Sequence, residues 1–207
     1  MKIYDVENFP NPARVRIALA EKGATDNVEF INVDVMNGEH RNSEFKAKNP
    51  NAGVPILELD DGTCIAECTA ITEYIDHEFS GGPSLTGKSS KERAVIHMMQ
   101  RRAEQNLLDA VGTYFHHATP GLGPDLETYQ NKEWGEKQKQ KAQDGMRYFD
   151  EVLAEQPYIA GDEYSMADIT AFAGLAFADF AQVEIPSECS NLVAWREKIA
   201  SRPAIAG

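Results

Sequence analysis

Two adjacent histidines close a helical run at Gly112-Thr-Tyr-Phe-His-His117. Imidazole titrates near neutrality, so His116 or His117 could serve as a base or a hydrogen-bond donor beside a ligand. Residues 112 and 116 share one helical face, and 113 and 117 share the next. The same spacing also suits a plain helix-end histidine favoured by the helix dipole. Zinc would need a third ligand, and none is in view. A second candidate is Glu67-Cys68-Thr69-Ala70-Ile71, at the start of a helical stretch. Free N–H groups and the positive dipole end make such a place an anion site, and Glu67 could meet an ammonium. The plain alternative is an N-cap, for which Thr69 suits better than Cys68.

A third feature is Asn51-Ala-Gly-Val-Pro-Ile56. Proline just before a strand removes a ladder donor. A cis Val54–Pro55 bond would turn the Val54 N–H and C=O outward, where an extended, peptide-like ligand could pair with them. An ordinary trans turn fits the same residues. The loop Val6-Glu-Asn-Phe-Pro-Asn-Pro-Ala-Arg-Val-Arg16 stands where a reactive thiol or its activator often sits, yet it offers Phe9 and two prolines. Its remaining donors are the amides of Asn8 and Asn11 and the backbone N–H groups of Asn11 and Ala13.

These residues need elements to position them. Lys2–Tyr4 reads as a strand, and Pro12–Lys22 as a helix with Asn11 as N-cap and Gly23 as its stop. Val28–Val33, Ile56–Leu59 and Thr63–Ala66 read as further strands. The last two are joined by Asp60-Asp61-Gly62, a strong hairpin signal. Thr69–Phe79 has helical spacing, so the order is β-α-β then β-β-α. Ser80–Gly87 breaks all periodicity. Beyond it the chain predicts helices over Lys91 to about Tyr114, Tyr129–Gln156, Met166–Ala181 and Asn191–Ser201. Ser165-Met-Ala-Asp168 before an apolar run is a capping-box signature with a structural role. The expected fold class is α/β plus all-α: an N-terminal domain over 1–80, a linker over 81–90 and an all-helical domain over 91–207.

The net charge of −13 argues against partners that are themselves anionic, nucleic acid and acidic membrane surfaces among them. Three cysteines, Cys64, Cys68 and Cys189, form no disulfide framework and no CxxC. No apolar run reaches membrane-spanning length, and a cytoplasmic location is the default expectation.

Taken together the motifs resemble a soluble glutathione transferase over essentially the whole chain. The likeness is carried by "PNPARVRIALAEKG", "NPNAGVPILELDDG", "IAECTAITEYID" and "SMADIT", in that order. The string "YFHHATPGLGPDLETYQNKEW" is similar to the atypical Gtt-type class of fungi and bacteria. The resemblance implies a thioredoxin-like domain followed by a helical one, glutathione as co-substrate, small electrophiles as second substrates, no metal, and a homodimer with the helix from Lys91 at its interface.

The resemblance also implies roles. Val54 beside Pro55 would bind the cysteinyl backbone of glutathione, Glu67 and Cys68 its γ-glutamyl end, and His40 its glycyl carboxylate. Cys68 stands where the family has Ser, and Gly53 where a Lys is often found. Phe9 occupies the place of a catalytic Ser or Cys. Tyr4 matches the catalytic Tyr of other classes, although the loop after it differs, and a core tyrosine is the alternative. Sulfur activation then passes to His116, directly or through a water, with Asn11 and His117 as further candidates, and Phe9, Tyr114 and Phe115 are expected to wall an apolar electrophile pocket. The competing readings are a glutathione-dependent peroxidase or reductase, and a non-catalytic glutathione-binding protein.

Overall fold

The computed structural model describes residues 1–206. The chain divides into two compact units, Met1–Leu85 and the remainder from Thr86.

The first unit is built on a four-stranded sheet ordered β2-β1-β3-β4. Strand β1 (Lys2–Asp5) pairs parallel with β2 (Glu29–Asn32) and antiparallel with β3 (Ile56–Glu58), which pairs antiparallel with β4 (Cys64–Ala66). The parallel pair requires a crossover, and helix α1 (Pro10–Glu21) supplies it. Val15, Ala18 and Leu19 form its fully buried stripe. The β3–β4 turn closes as its sequence predicts. Gly62 takes φ +85°, its N–H bonds the Leu59 carbonyl at 3.0 Å, and Thr63 N–H donates to Asp61 Oδ1 at 2.8 Å. Helix α2 (Ser43–Lys48) is an element the periodicity did not predict, and α3 (Cys68–Glu78) follows β4.

Two helix starts in this unit differ from expectation. Helix α1 begins at Pro10, with Phe9 as an extended N-cap that makes no side-chain cap bond, so Asn11 lies inside the first turn. Ala13 N–H is spent on the Phe9 carbonyl at 3.0 Å and is not a spare donor. Helix α3 begins at Cys68, with Glu67 rather than Thr69 at its N-cap.

The Gly-rich stretch after α3 is fastened to the first unit. Lys22 and Asp76 form a buried ion pair at 2.9 Å, Lys22 Nζ also donates to the Pro83 carbonyl at 3.1 Å, and Leu85 N–H donates to Asp76 Oδ1 at 3.0 Å. Glycine at 82 is required there, because a Cβ would collide with the Glu21 carbonyl.

The second unit is helical. A continuous helix runs from Ser90 to Ala118 as α4 (Ser90–Ala103), a π-helical turn (Glu104–Leu108) and α5 (Asp109–Ala118). The π turn packs against Gly145 and Gly174, where any Cβ would strike Asn106 or Leu107. Helix α6 (Lys132–Glu155) starts three residues later than predicted, capped by Asn131, and α7 (Met166–Phe180) follows. Helices α8 (Ser190–Ala200) and α9 (Pro203–Ala206) complete the unit. The capping box of α7 is formed as read, and its Asp168 does more than cap. Oδ2 accepts from Ser165 N–H at 3.0 Å, while Oδ1 accepts from Ile159 N–H at 2.9 Å and from Trp195 Nε1 at 3.1 Å. One carboxylate thus joins α7, α8 and the turn before them.

Candidate functional site

In the first unit the predicted residues converge at one end of the sheet. Ile56 pairs with Ala66 across β3 and β4. Extending that antiparallel register places Val54–Pro55 opposite Glu67–Cys68. The Val54–Pro55 bond is cis, and the Val54 N–H and C=O make no backbone bond among the described residues. Their loop is held by Asn49, which sequence reasoning missed. Asn49 is buried, its Nδ2 donates to the Gly53 carbonyl at 2.9 Å, and its Oδ1 accepts from Asn51 N–H at 3.1 Å. The signal was available in Asn49-Pro-Asn-Ala-Gly53, because a short amide commonly ties its own turn.

Glu67 sits at φ +70°, ψ +120°, outside the regions an ordinary residue prefers. Such strain costs about 1–3 kcal/mol and concentrates at ligand-holding positions. The Glu67 side chain is exposed and makes no cap bond. Cys68 is buried, and its thiol donates to the Asn11 carbonyl at 3.4 Å and lies 3.7 Å from Asn11 Oδ1. The starts of α1 and α3 are therefore stitched together by the thiol that replaces the expected hydroxyl. Asn11 Oδ1 also accepts from Arg14 Nη1 at 3.0 Å. Pro10 and Pro12 have no N–H, which leaves Asn11 N–H as the donor of this turn outside the helical ladder.

Two other candidates in this unit stand apart. Tyr4 donates its hydroxyl to Glu58 Oε2 at 2.9 Å and lies beneath the Lys48 ammonium, itself ion-paired with Glu58, so it is a structural tyrosine. His40 lies in a single 3₁₀ turn, Glu39–Arg41, and none of the bonds joining Asn11, Cys68 and the Val54 loop reaches it. Its Nδ1 is buried without a partner. Burial first, then the charges of Arg41 and Lys46, hold its pKa below the ordinary imidazole value. That local positive potential suits a carboxylate.

In the second unit His116 and His117 occupy the last turn of α5 with different duties. His117 Nδ1 accepts from Asn131 N–H at 3.1 Å and its ring meets Tyr129 edge-on, so it fixes the entry to α6. His116 Nδ1 lies 2.6 Å from Glu127 Oε1, which also accepts from Leu122 N–H at 2.9 Å. Gln130 Nε2 donates to the carbonyls of His116 and Thr119, both at 2.8 Å, pinning the same loop. Gly112, which shares a helical face with His116, faces Phe177, whose ring would lie 3.4 Å from an added Cβ. Phe115 is buried among His116, Phe177 and Phe180, at ring separations of 5.1–5.6 Å. Tyr114 is half-buried beneath Lys139. Glu127, Phe177 and Phe180 were not anticipated. Phe180 is 72% exposed beside this cluster, an unusual setting for so large an apolar ring.

Among the described residues no three His, Cys, Asp or Glu side chains gather as a metal site. No helix is long and apolar enough to cross a membrane.

Comparison with known proteins decides among the readings of this geometry. Residues 1–77 match the family described as Glutathione S-transferase, N-terminal domain, and residues 105–203 match Glutathione S-transferase, C-terminal domain. Glutathione S-transferase 2 of Saccharomyces cerevisiae is 58% identical over 205 residues, spanning 99% of this chain and 88% of that protein. The chain belongs to the glutathione S-transferase family. A crystal structure of a glutathione S-transferase domain-containing protein from Marinobacter aquaeolei is 66% identical, with a TM-score of 0.97 over 99% of this chain and 100% of the other. A class Gtt2 glutathione S-transferase from Vibrio parahaemolyticus is 33% identical, with a TM-score of 0.85 over 99% and 95% of the two chains. The family fold, a thioredoxin-like domain joined to a helical one, is the one described above, and the likeness to the Gtt-type class holds. Within this transferase frame Phe9 stands at the head of α1 with no side-chain donor.

Proposed function

We propose that this glutathione transferase joins the thiolate of glutathione to small, apolar electrophiles. Val54 would meet the cysteinyl backbone of the tripeptide, Glu67 and the first turn of α3 its γ-glutamyl end, and His40 its glycyl carboxylate. The observation that carries the reading is the convergence of three open features in the first unit. These are the unpaired Val54 backbone beside cis-Pro55, the strained Glu67, and the start of α3 stitched to that of α1. The aromatic cluster of Phe115, Phe177 and Phe180 supports an apolar acceptor, with Tyr114 as a further wall. The burial of the Cys68 thiol against Asn11 weighs against thiol exchange, and so against the peroxidase or reductase reading. A homodimer acting in the cytoplasm, with no nucleic-acid partner, completes the reading.

The chemistry asked of the site is modest. The glutathione thiol has an ordinary pKa of roughly 8.5, and lowering it by about two units needs roughly 2.7 kcal/mol of preference for the thiolate. A charge-assisted hydrogen bond contributes about 1.5–3 kcal/mol, and a helix N-terminus about 0.3–1 kcal/mol. The loss of a hydroxyl at position 9 is therefore replaceable. His116 is assigned as the replacement, with Asn11 N–H as the auxiliary donor. The test is retention on immobilised glutathione together with turnover of 1-chloro-2,4-dinitrobenzene; both are expected. Retention without turnover across a broad panel of electrophiles would leave the non-catalytic reading in its place.

Cys68 offers a second check. Restoring the hydroxyl in Cys68→Ser is expected to lower KM for glutathione about 2–10-fold, the equivalent of one neutral hydrogen bond of roughly 0.5–1.5 kcal/mol, with kcat little changed. A KM that rises instead would show that the thiol's contact with Asn11 matters more than the missing hydroxyl.

A further inference from the structure

We propose that Arg14 is a positioning residue: it fixes the Asn11 side-chain amide with its oxygen turned inward, so that the Nδ2 hydrogens face the glutathione sulfur and hold the thiolate. This rests on the reading that the first unit binds glutathione, and it is independent of which group takes the thiol proton. The two ends of an amide differ in what they can do, since Oδ1 accepts and Nδ2 donates. Arg14 Nη1 lies 3.0 Å from Asn11 Oδ1, and a guanidinium only donates. The Cys68 thiol approaches the same oxygen at 3.7 Å. With the amide turned over, a donor would face a charged donor at hydrogen-bond distance, so Arg14 settles the orientation. Asn11 Nδ2 is then directed away from both and makes no hydrogen bond among the described residues. Burial separates the two duties: Arg14 is 4% exposed, whereas Asn11 is exposed. Pro10 and Pro12, with their locked φ, hold the backbone on either side of Asn11.

Asn11 also stands in the right place. Its carbonyl accepts from Cys68 Sγ at 3.4 Å, and Cys68 lies across the extended β3–β4 register from the Val54–Pro55 step. A tripeptide with its cysteinyl backbone on Val54 and its γ-glutamyl end at Glu67 therefore brings its thiol to the head of α1. Phe9 has no donor to offer there, and two residues on Asn11 supplies one. An N–H that bonds the charged form favours thiolate over thiol. The guanidinium on the oxygen side polarises the amide, and linked hydrogen bonds strengthen one another. An Arg14 bond that only fastened the first turn of α1 would leave the ionisation of the thiol alone, and this separates the two roles.

The ultraviolet absorbance of the thiolate, followed through pH in the glutathione complex, reads the effect directly. In Asn11→Ala the bound thiol should titrate about half a unit to one unit higher, with kcat/KM at neutral pH down about 3–10-fold and KM for glutathione within about twofold. Asn11→Asp is the sharper variant. One carboxylate oxygen can keep the bond from Arg14 and so preserve the start of α1, while the other presents a negative charge and no hydrogen; the thiol should rise further than in Asn11→Ala. Arg14→Met should repeat part of the Asn11→Ala shift and add nothing to it in the double variant. Arg14→Lys, whose ammonium also only donates, should escape most of that shift. Should Arg14→Met not fold, ¹⁵N spectra of the wild-type complex test the same point, because the Asn11 side-chain NH₂ signals should move with the midpoint of the bound thiol. Signals that ignore that midpoint, a full Arg14→Met shift on top of Asn11→Ala, or one thiol titration shared by the wild type and both Asn11 variants would overturn the inference and leave the transferase reading intact. A wild type that does not bind glutathione would overturn the transferase reading itself.

Discussion

Asp168→Ala should destabilise the protein by about 3–5 kcal/mol, a large part of the 5–15 kcal/mol that holds a typical domain together. The variant would strand the N–H groups of Ser165 and Ile159 and the indole N–H of Trp195, all of which end on this one side chain, and each unsatisfied buried donor costs about 1–3 kcal/mol. Asp168→Asn should cost less, since the amide oxygen can still accept on one side. Its effect carries a pH signature. Burial pushes the Asp168 carboxyl up to about 6, outweighing the donors that pull it down. A folded pKa above the unfolded value near 3.9 means that the native state holds a proton the unfolded chain has already released. The stability contributed by this group is then full below about pH 4 and is lost as pH rises through about 6. Asn cannot titrate, so the variant should gain on the wild type by about 2 kcal/mol between pH 4 and pH 7. Urea unfolding of both proteins across that range would measure it, and parallel pH curves would refute it.

The order of elements was legible because it rests on short-range rules. Asp60-Asp61-Gly62 needs only a positive φ at its glycine to join two strands, and Ser165-Met-Ala-Asp168 needs only three residues to form its box. The start of α1 was misread because Asn11 is a better capping residue than Phe9 by side chain. Pro10 at the first helical position tolerates any extended residue before it, and so decided the boundary. Helix α2 was missed since six residues present no stripe, although Asn42, whose Oδ1 accepts from Phe45 N–H at 2.7 Å, gave a usable N-cap signal. The π turn at Glu104–Leu108 has no sequence rule behind it. It answers to the close approach of Gly145 and Gly174, which come from two other helices.

The site divides in the same way. Val54, Pro55, Glu67 and Cys68 stand within sequence-local motifs, and the β3–β4 register alone brings them together. Glu127 is eleven residues from His116, in a loop of Gly and Pro whose path no periodicity dictates, so its pairing could not be read. Phe180 ends the apolar run that follows the capping box, yet its ring lies mostly in solvent. Local chemistry was visible, and the side chains that aim it were not.

His116→Ala is expected to lower kcat/KM at neutral pH by about 100-fold, the lower end of what a positioned acid or base contributes. Of the roughly 2.7 kcal/mol that a two-unit fall in thiol pKa requires, the helix N-terminus can hold about 0.3–1 kcal/mol, so most of it must come from one strong partner. Without that partner the bound thiol should titrate close to its free value near roughly 8.5. The sign follows from the thiolate being the nucleophile. Activity of the variant should climb with pH, about tenfold per unit below that value, and approach the wild type in alkali, where hydroxide does the deprotonating. KM for glutathione should hold, because the groups assigned to the tripeptide are Val54, Glu67 and His40. His117→Ala is the contrast. Its Nδ1 serves the Asn131 N–H, so the variant should loosen the start of α6 and leave the pH profile in place. A pH–rate profile unmoved by His116→Ala would return the thiolate to the backbone of the opening loop, where Asn11 N–H is the one first-turn donor left.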